Sequence, residues 1–193
     1  MRYFTSDQHY GHEGIISLSK RPFSSVEEMD IEIIRRHNSL ISPNDEVFHL
    51  GDFTFKEGRL VEILKSLNGK HHLVSGNHDK CHPCHHHHVR FVRKYLKSGF
   101  SSVQERLILD IPTLGPVLLC HLPMRMEGKE ERYPNHRPTT SDIMKSSPGE
   151  FLIHGHVHKS WTRRKNMINV GVDVWNFSPV AQDELVEFIH KPY

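Results

Sequence analysis

Val47-Phe48-His49-Leu50-Gly51-Asp52 is a short, largely apolar run that stops on a glycine and a carboxylate. A run of four to five such residues reads as a buried strand, and the glycine lets the backbone turn sharply where the carboxylate begins. The pattern recurs. Tyr3-Phe4 precedes Asp7, Leu73-Val74 precedes Gly76, Val117-Leu118-Leu119-Cys120 precedes His121, Phe151-Leu152-Ile153 precedes His154, and Met167-Ile168-Asn169-Val170 precedes Gly171. Between these runs lie amphipathic stretches: Ser25 to Asn38, with Ser25 placed to cap and Glu28 three residues on; Phe55 to Leu67, with Leu60, Val61, Leu64 and Leu67 on one face; and His88 to Lys97. Strands alternating with helices predict an α/β layered fold.

The 193 residues contain no internal repeat and no linker rich in Pro, Gly or Ser, so 1–193 is expected to be one domain with a sizeable core. Residues 123–149 are the least periodic, with Glu127, Lys129, Glu130, Glu131, Arg132 and Arg137, and predict a long surface loop with a short helix around Ser141 to Lys145. Twenty-five Lys and Arg against 23 Asp and Glu leave a net charge of +2, which gives no global footprint for wrapping nucleic acid or coating an anionic membrane. With no aromatic platform or basic stripe, sequence-specific nucleic-acid binding is not expected. Three cysteines cannot build a disulfide framework, and their odd number predicts a reducing, cytoplasmic setting. Met1 to Asp7 reaches a charge too early for a signal-peptide core, and no run approaches the ~20 apolar residues of a membrane span. The anomaly is 18 histidines, the residue type that most often ligates metals and moves protons near neutral pH.

Five polar clusters stand at the ends of the predicted strands: Asp7-Gln8-His9, Gly51-Asp52, Gly76-Asn77-His78-Asp79, His121, and Gly155-His156-Val157-His158. Ligands of α/β sheets bind outside the carboxyl ends of the strands. Asp7 and His9, like His156 and His158, are two apart, and in extended chain such residues project to one side and can converge. Leaving out His78 and Asp79, these clusters offer four His, two Asp and one Asn, more than one ion takes, so two metals sharing a carboxylate is the economical arrangement.

In this order the clusters resemble the motifs of the calcineurin-like metallophosphoesterases, from Asp7 to His158. Asp7-Gln8-His9-Tyr10-Gly11-His12, His49-Leu50-Gly51-Asp52-Phe53 and Asn169-Val170-Gly171-Val172-Asp173-Val174-Trp175 further resemble a small bacterial and phage-encoded branch. The resemblance implies an α/β sandwich of two sheets packed face to face with flanking helices. It implies that Asp7, His9, Asp52 and His158 hold one metal, and that Asp52, Asn77, His121 and His156 hold the other. Two dications, two aspartates and a bridging hydroxide sum to +1, a centre that attracts an anionic ester; metals about 3.5–4 Å apart suit attack of the hydroxide on phosphorus. His78 is then placed to assist the leaving group, with Asp79 orienting its ring. Mn, Fe, Ni and Zn all suit these donors, with Mn favoured. A phosphodiesterase acting on nucleotide or other diesters is the leading expectation, with a phosphomonoesterase or phosphoprotein phosphatase, or a non-catalytic scaffold, behind it. His12, Arg125 and Arg137 are candidate substrate contacts.

Cys81-His82-Pro83-Cys84-His85-His86-His87-His88 invites a structural zinc. The second ligand pair of a finger is absent, however, and consecutive histidines cannot all converge on one ion. The segment therefore reads as a polar helix start facing solvent or the site rim. Asp173 and Trp175 read as residues that close the sheet.

Overall fold

All six apolar runs are strands in the computed structural model, which describes residues 1–124, 132–139, 141 and 151–191. In one sheet β1 (Arg2–Thr5), β2 (Glu46–His49), β3 (Lys70–Val74) and β4 (Ser102–Gln104) run parallel, and β10 (Val180–Ala181) pairs antiparallel with β1. The second sheet contains β5 (Arg106–Ile111), β6 (Gly115–Cys120), β7 (Leu152–His154), β8 (Arg163–Arg164) and β9 (Met167–Asn169), in the order β5-β6-β7-β9-β8. Its three central strands β6, β7 and β9 are parallel, and both outer strands are antiparallel to their neighbours.

The sheets pack face to face. Phe4, Phe48, Leu50 and Val74 from the first share one buried cluster with Val117, Leu119, Ile153 and Ile168 from the second. Helices cover the other face of the first sheet. After the short α1 (Gly14–Leu18), α2 (Val26–Leu40) buries Met29, Ile33 and His37 at helical spacing; with Leu60, Ile63 and Leu64 of α3 (Leu60–Ser66) the apolar members surround Phe53 and Leu73. Burying a side chain of this size contributes roughly 1.5–3 kcal/mol. α4 (His88–Ser98) adds Tyr95 to this layer, and α5 (Gln182–His190) seals the shared core with Leu185 and Ile189. Ser25 caps α2 as expected, its Oγ accepting the Glu28 N–H at 3.1 Å. Glu28 reaches back one residue further than a capping box requires, to the Ser24 N–H at 2.7 Å.

Register places the site. Thr5 pairs with His49 and His49 with Leu73, so β1, β2 and β3 end level with one another; Leu119 pairs with Ile153 and Ile153 with Ile168 in the other sheet. The loops that follow these strands therefore emerge side by side. Residues 142–145, most of the short helix expected in the long loop, lie outside the described residues.

Three buried histidines, His37 of α2, His49 of β2 and His71 of β3, pack ring against ring between helix and sheet. Gln8 Nε2 donates to His49 Nδ1 at 3.1 Å, which leaves His49 Nε2 to donate to His71 Nδ1 at 3.0 Å. Burial lowers His37 and His71 to about 4 and His49 well below its ordinary value. In the unfolded chain all three titrate near 6.5. Between pH 6.5 and 4 the unfolded chain thus binds more protons, so stability is complete above that window and is lost as pH falls through it. In His37→Gln, which keeps a donor for the Asn68 carbonyl 2.8 Å away, metal-free urea unfolding between pH 6.5 and 4.5 should lose up to about 1.4 kcal/mol less stability per pH unit than the parent. An unchanged slope would assign the acid lability elsewhere.

Candidate metal centre

The loops after β1 and β2 continue as a paired ladder beyond the strands. Asp7 N–H donates to the Gly51 carbonyl and His9 N–H to the Asp52 carbonyl, each at 3.0 Å. Within that ladder the expected extended geometry does not hold. Asp7, His9, Asp52, His156 and His158 all have positive φ, between 49° and 71°. The pairs converge because each residue is turned in the left-handed region, where non-glycine side chains are uncommon and surrounding structure must hold them.

Glycines make room for this. A Cβ on Gly76 would run into the Asp52 carboxylate and stand 2.5 Å from the Asp52 nitrogen. One on Gly155 would overlap Ser6 Oγ and sit 2.5 Å from Asp7 Oδ2. Gly51, with φ of 93°, lies against Gly76 and His121 in the same way.

The ring nitrogens and carboxylates so gathered form two overlapping sets. Ligand atoms of Asp7, His9 and His158 lie within 4.8 Å of one another, and so do those of Asp7, Asp52 and His121. Asp52 Oδ2 is 3.6 Å from His9 Nε2 and 3.5 Å from His121 Nε2, between the two imidazoles. Asn77 Oδ1 lies 3.2 Å from His121 Nε2, and the His156 ring is 5.2 Å from that of His121. All seven expected ligands are thus in one place.

These residues fit divalent metal. His9 is 2% exposed and neither of its ring nitrogens has a hydrogen-bond partner, a costly arrangement without a cation to receive a lone pair. Burial lowers His9 well below its ordinary range and His156 to about 2, so both rings are neutral and able to ligate. His121 behaves oppositely: burial pushes it down, but the Asp52 carboxylate more than compensates and lifts it to about 9. The carboxylates thus draw a positive charge into the pocket. His121 Nδ1 donates to the Leu50 carbonyl at 2.7 Å, which turns Nε2 towards Asp52.

Arg21 escapes the sequence reading, which treats Asp173 only as a residue that closes the sheet. Arg21 grips the first loop from behind, donating to the Asp7 carbonyl at 2.7 Å and the Gln8 carbonyl at 2.9 Å. It also forms a two-pronged pair with Asp173, Nε to Oδ1 and Nη2 to Oδ2, both 2.9 Å. Asp173 Oδ2 in turn accepts from His158 Nδ1 at 2.9 Å. Burial opposes ionisation of Asp173, but the His158 and Arg21 bonds outweigh it and hold the carboxyl at about 2. Asp173 therefore does more than close the sheet: it fixes the His158 tautomer and points Nε2 towards Asp7, 4.0 Å away. Arg21 and Asp173 are 152 residues apart, and neither belongs to a spacing pattern that would have exposed the link. Asp173→Asn should weaken metal affinity by about 10–100-fold, read by metal titration; unchanged affinity would remove the orienting role.

Asp79 also departs from expectation. Its two carboxylate oxygens accept the N–H groups of Gly76, Asp52 and Phe53, at 2.8, 2.9 and 3.1 Å, and it does not orient the His78 ring. Burial and the neighbouring Asp52 charge push it up to about 7 against these bonds. Asp79 is the clasp that joins the β2 and β3 loops. The His78 ring instead stands beside His9 and Phe55, with side-chain exposure of 45%, while the backbone N–H of His78 donates to Asp52 Oδ1 at 2.9 Å.

A cleft of about 900 Å³ opens on the centre, lined among others by His9, His12, His78, Arg137, His156 and Trp161. His12 stacks on the exposed ring of Phe55, centroids 3.9 Å apart, so it belongs to the cleft wall. Arg137 reaches the cleft while donating to the Pro123 carbonyl at 3.1 Å. Arg125 lies outside the described residues.

Cys81, 2% exposed, packs into the helical core beside Tyr95, and burial raises its thiol pKa; it is unsuited to the zinc knuckle considered above. Among the described residues no helix is long and apolar enough to cross a membrane.

The chain is 28% identical to the uncharacterized protein MJ1445 of Methanocaldococcus jannaschii, over 98% of its own length and 91% of that protein's. It is 27% identical to the Gene 66 protein of Mycobacterium phage L5, over 97% and 93% of the two lengths. The crystal structure of AQ665, a protein of unknown function from Aquifex aeolicus, superimposes with a TM-score of 0.72 at 29% identity, covering 97% of this chain and 98% of that one. The family model of the calcineurin-like phosphoesterase superfamily domain matches residues 4–179, which take in strands of both sheets and every ligand candidate: the chain belongs to the calcineurin-like phosphoesterase superfamily.

Proposed function

We propose that this chain is a phosphodiesterase with a dinuclear metal centre. Asp7, His9, Asp52 and His158 would hold one ion and Asp52, Asn77, His121 and His156 the other, with Asp52 shared. When bound, two divalent ions supply hydroxide at neutral pH and positive charge for the phosphoryl oxygens. The chain's own groups do the remainder. Arg21 and Asp173 hold the first ligand loop and His158 in place, and Asp79 clasps the Asp52 and Asn77 loops. His78 faces the cleft and is placed to give a proton to the departing alkoxide oxygen.

The observation that carries the diester reading is the cleft. Its volume of about 900 Å³ is far larger than one phosphoryl group needs and has room for substituents on two sides of phosphorus. Trp161 offers one of them an apolar face, and His12 and Arg137 offer polar contacts. Mn is the favoured ion, although Fe, Ni and Zn suit the same donors.

The test compares p-nitrophenyl phosphate with bis(p-nitrophenyl) phosphate, using Mn-loaded protein and its His78→Gln variant. Faster turnover of the diester is expected. With a nucleoside-type alkoxide leaving group, His78→Gln should lower kcat by about 10²–10⁴-fold; the loss should be smaller with nitrophenolate, which needs little help from a proton donor. Preference for the monoester would assign the protein to phosphomonoesterases. No turnover of either ester by metal-loaded protein would overturn the hydrolase reading for these substrates.

A further inference from the structure

The segment after Asp79 contains histidines that the dinuclear centre does not use. His82 is 1% exposed, although it lies in a turn-rich stretch that precedes α4. Its ring packs edge-on to that of His136, centroids 4.9 Å apart. His136 comes from the 3-10 turn Pro134–His136 of the long loop, and its Nδ1 is 2.8 Å from an oxygen of Glu105, between β4 and β5. One ligand atom from each of His82, Glu105 and His136 lies within 4.8 Å of the others, and none of the three belongs to the seven-residue set.

We propose that His82, Glu105 and His136 form a separate, mononuclear zinc site. Two imidazoles and a carboxylate are a donor set zinc accepts in tetrahedral coordination, with the fourth position left to water. Burial lowers His82 to about 3, so the ring is neutral and able to ligate near neutral pH. Zinc displaces or competes with two existing contacts, the His136–Glu105 bond and the 3.2 Å bond from the Cys84 N–H to His82 Nδ1. Affinity is therefore set below that of a site with uncommitted ligands.

The consequence is a rivet between three distant segments. His82 and His136 are 54 positions apart in sequence, and Arg137, immediately after His136, lines the substrate cleft. His85 Nε2 meets the Asn77 carbonyl at 2.9 Å, tying the same stretch to a metal-ligand loop. Zinc here holds the long loop against the catalytic loop and fixes one wall of the cleft.

Zinc content of the full chain tests this. Protein is equilibrated with excess zinc, dialysed against a weak chelator and analysed for zinc by elemental analysis. About one zinc fewer per chain is expected in His136→Ala and in Glu105→Gln than in the parent, because loss of a ligand exceeds the ~10–100-fold cost of losing an outer-shell contact. Both substitutions fall at half-buried positions, and Glu105→Gln keeps shape, so folding is retained. The same step is expected in an Asp52→Asn background, which separates this site from the dinuclear one. Replacing the exposed His86 and His87 together by Asn should leave the count unchanged. Equal zinc in the parent, His136→Ala and Glu105→Gln would overturn the proposal, as would loss of the extra equivalent on replacing His86 and His87 alone.

Discussion

Asp52→Asn should reduce diester turnover at least ~10³-fold, beyond the ~10²–10³-fold attributed to a single oxyanion donor, because it strikes both metal positions together. The carboxylate sits between His9 and His121, and its other oxygen accepts the His78 N–H. An amide removes one of the two negative charges that draw cations into the pocket. It also turns an NH₂ group either towards these imidazoles or towards the His78 N–H. The accompanying readouts are metal content and the rise in Tm on adding Mn, since a ligand that binds only the folded state stabilises it by RT ln(1 + [L]/Kd). Both should collapse in the variant, and the metal-free Tm should fall as well: although burial opposes it, His121 and the neighbouring rings hold the Asp52 carboxyl well below its ordinary value, and the amide forfeits that pairing. Retention of both metals and of turnover would remove Asp52 from the bridging position.

Asp79→Asn should lower stability by about 1–3 kcal/mol in urea unfolding at pH 5, and by less as pH rises towards 7, where the parent carries an Asp79 charge that burial and Asp52 disfavour and the amide does not. Three backbone N–H groups converge on the Asp79 carboxylate, whereas an amide presents one acceptor oxygen and turns its own N–H bonds against the remainder. Each buried donor left without a partner costs about 1–3 kcal/mol. The outcome separates two roles. If Asp79 clasps the loops, stability, metal content and turnover fall together; if it orients the His78 ring, kcat falls and stability is kept.

The difference between these roles shows where sequence reading stops. Gly-Asn-His-Asp announces chemistry by its residue types, and His78 does face the cleft. Asp79, however, is spoken for by backbone groups of Asp52 and Phe53, 27 and 26 positions away. Arg21 and Asp173 are the same case at greater range. A side chain acting through a backbone carbonyl or another side chain leaves no local spacing to detect, since its partner is chosen by the strand register. The shortest strands, β8 and β10, have two residues each, too few for any periodicity. β5 was missed despite six residues; it is an edge strand with Ile108 half exposed.

By itself the sequence determined the six strands built on apolar runs, the helices α2, α3 and α4, the seven candidate ligands and their positions at strand ends. These follow from local hydrophobic patterning and from donor chemistry, both written within a few residues. Only the tertiary structure decided how the ligands converge, through left-handed turns held open by glycines rather than extended chain. It also decided which of the histidines meet: His37, His49 and His71 in the core, and His82 with Glu105 and His136 beside the cleft. The physical reason is that convergence of buried polar groups depends on sheet register and loop packing, which are set by contacts between segments far apart in the chain.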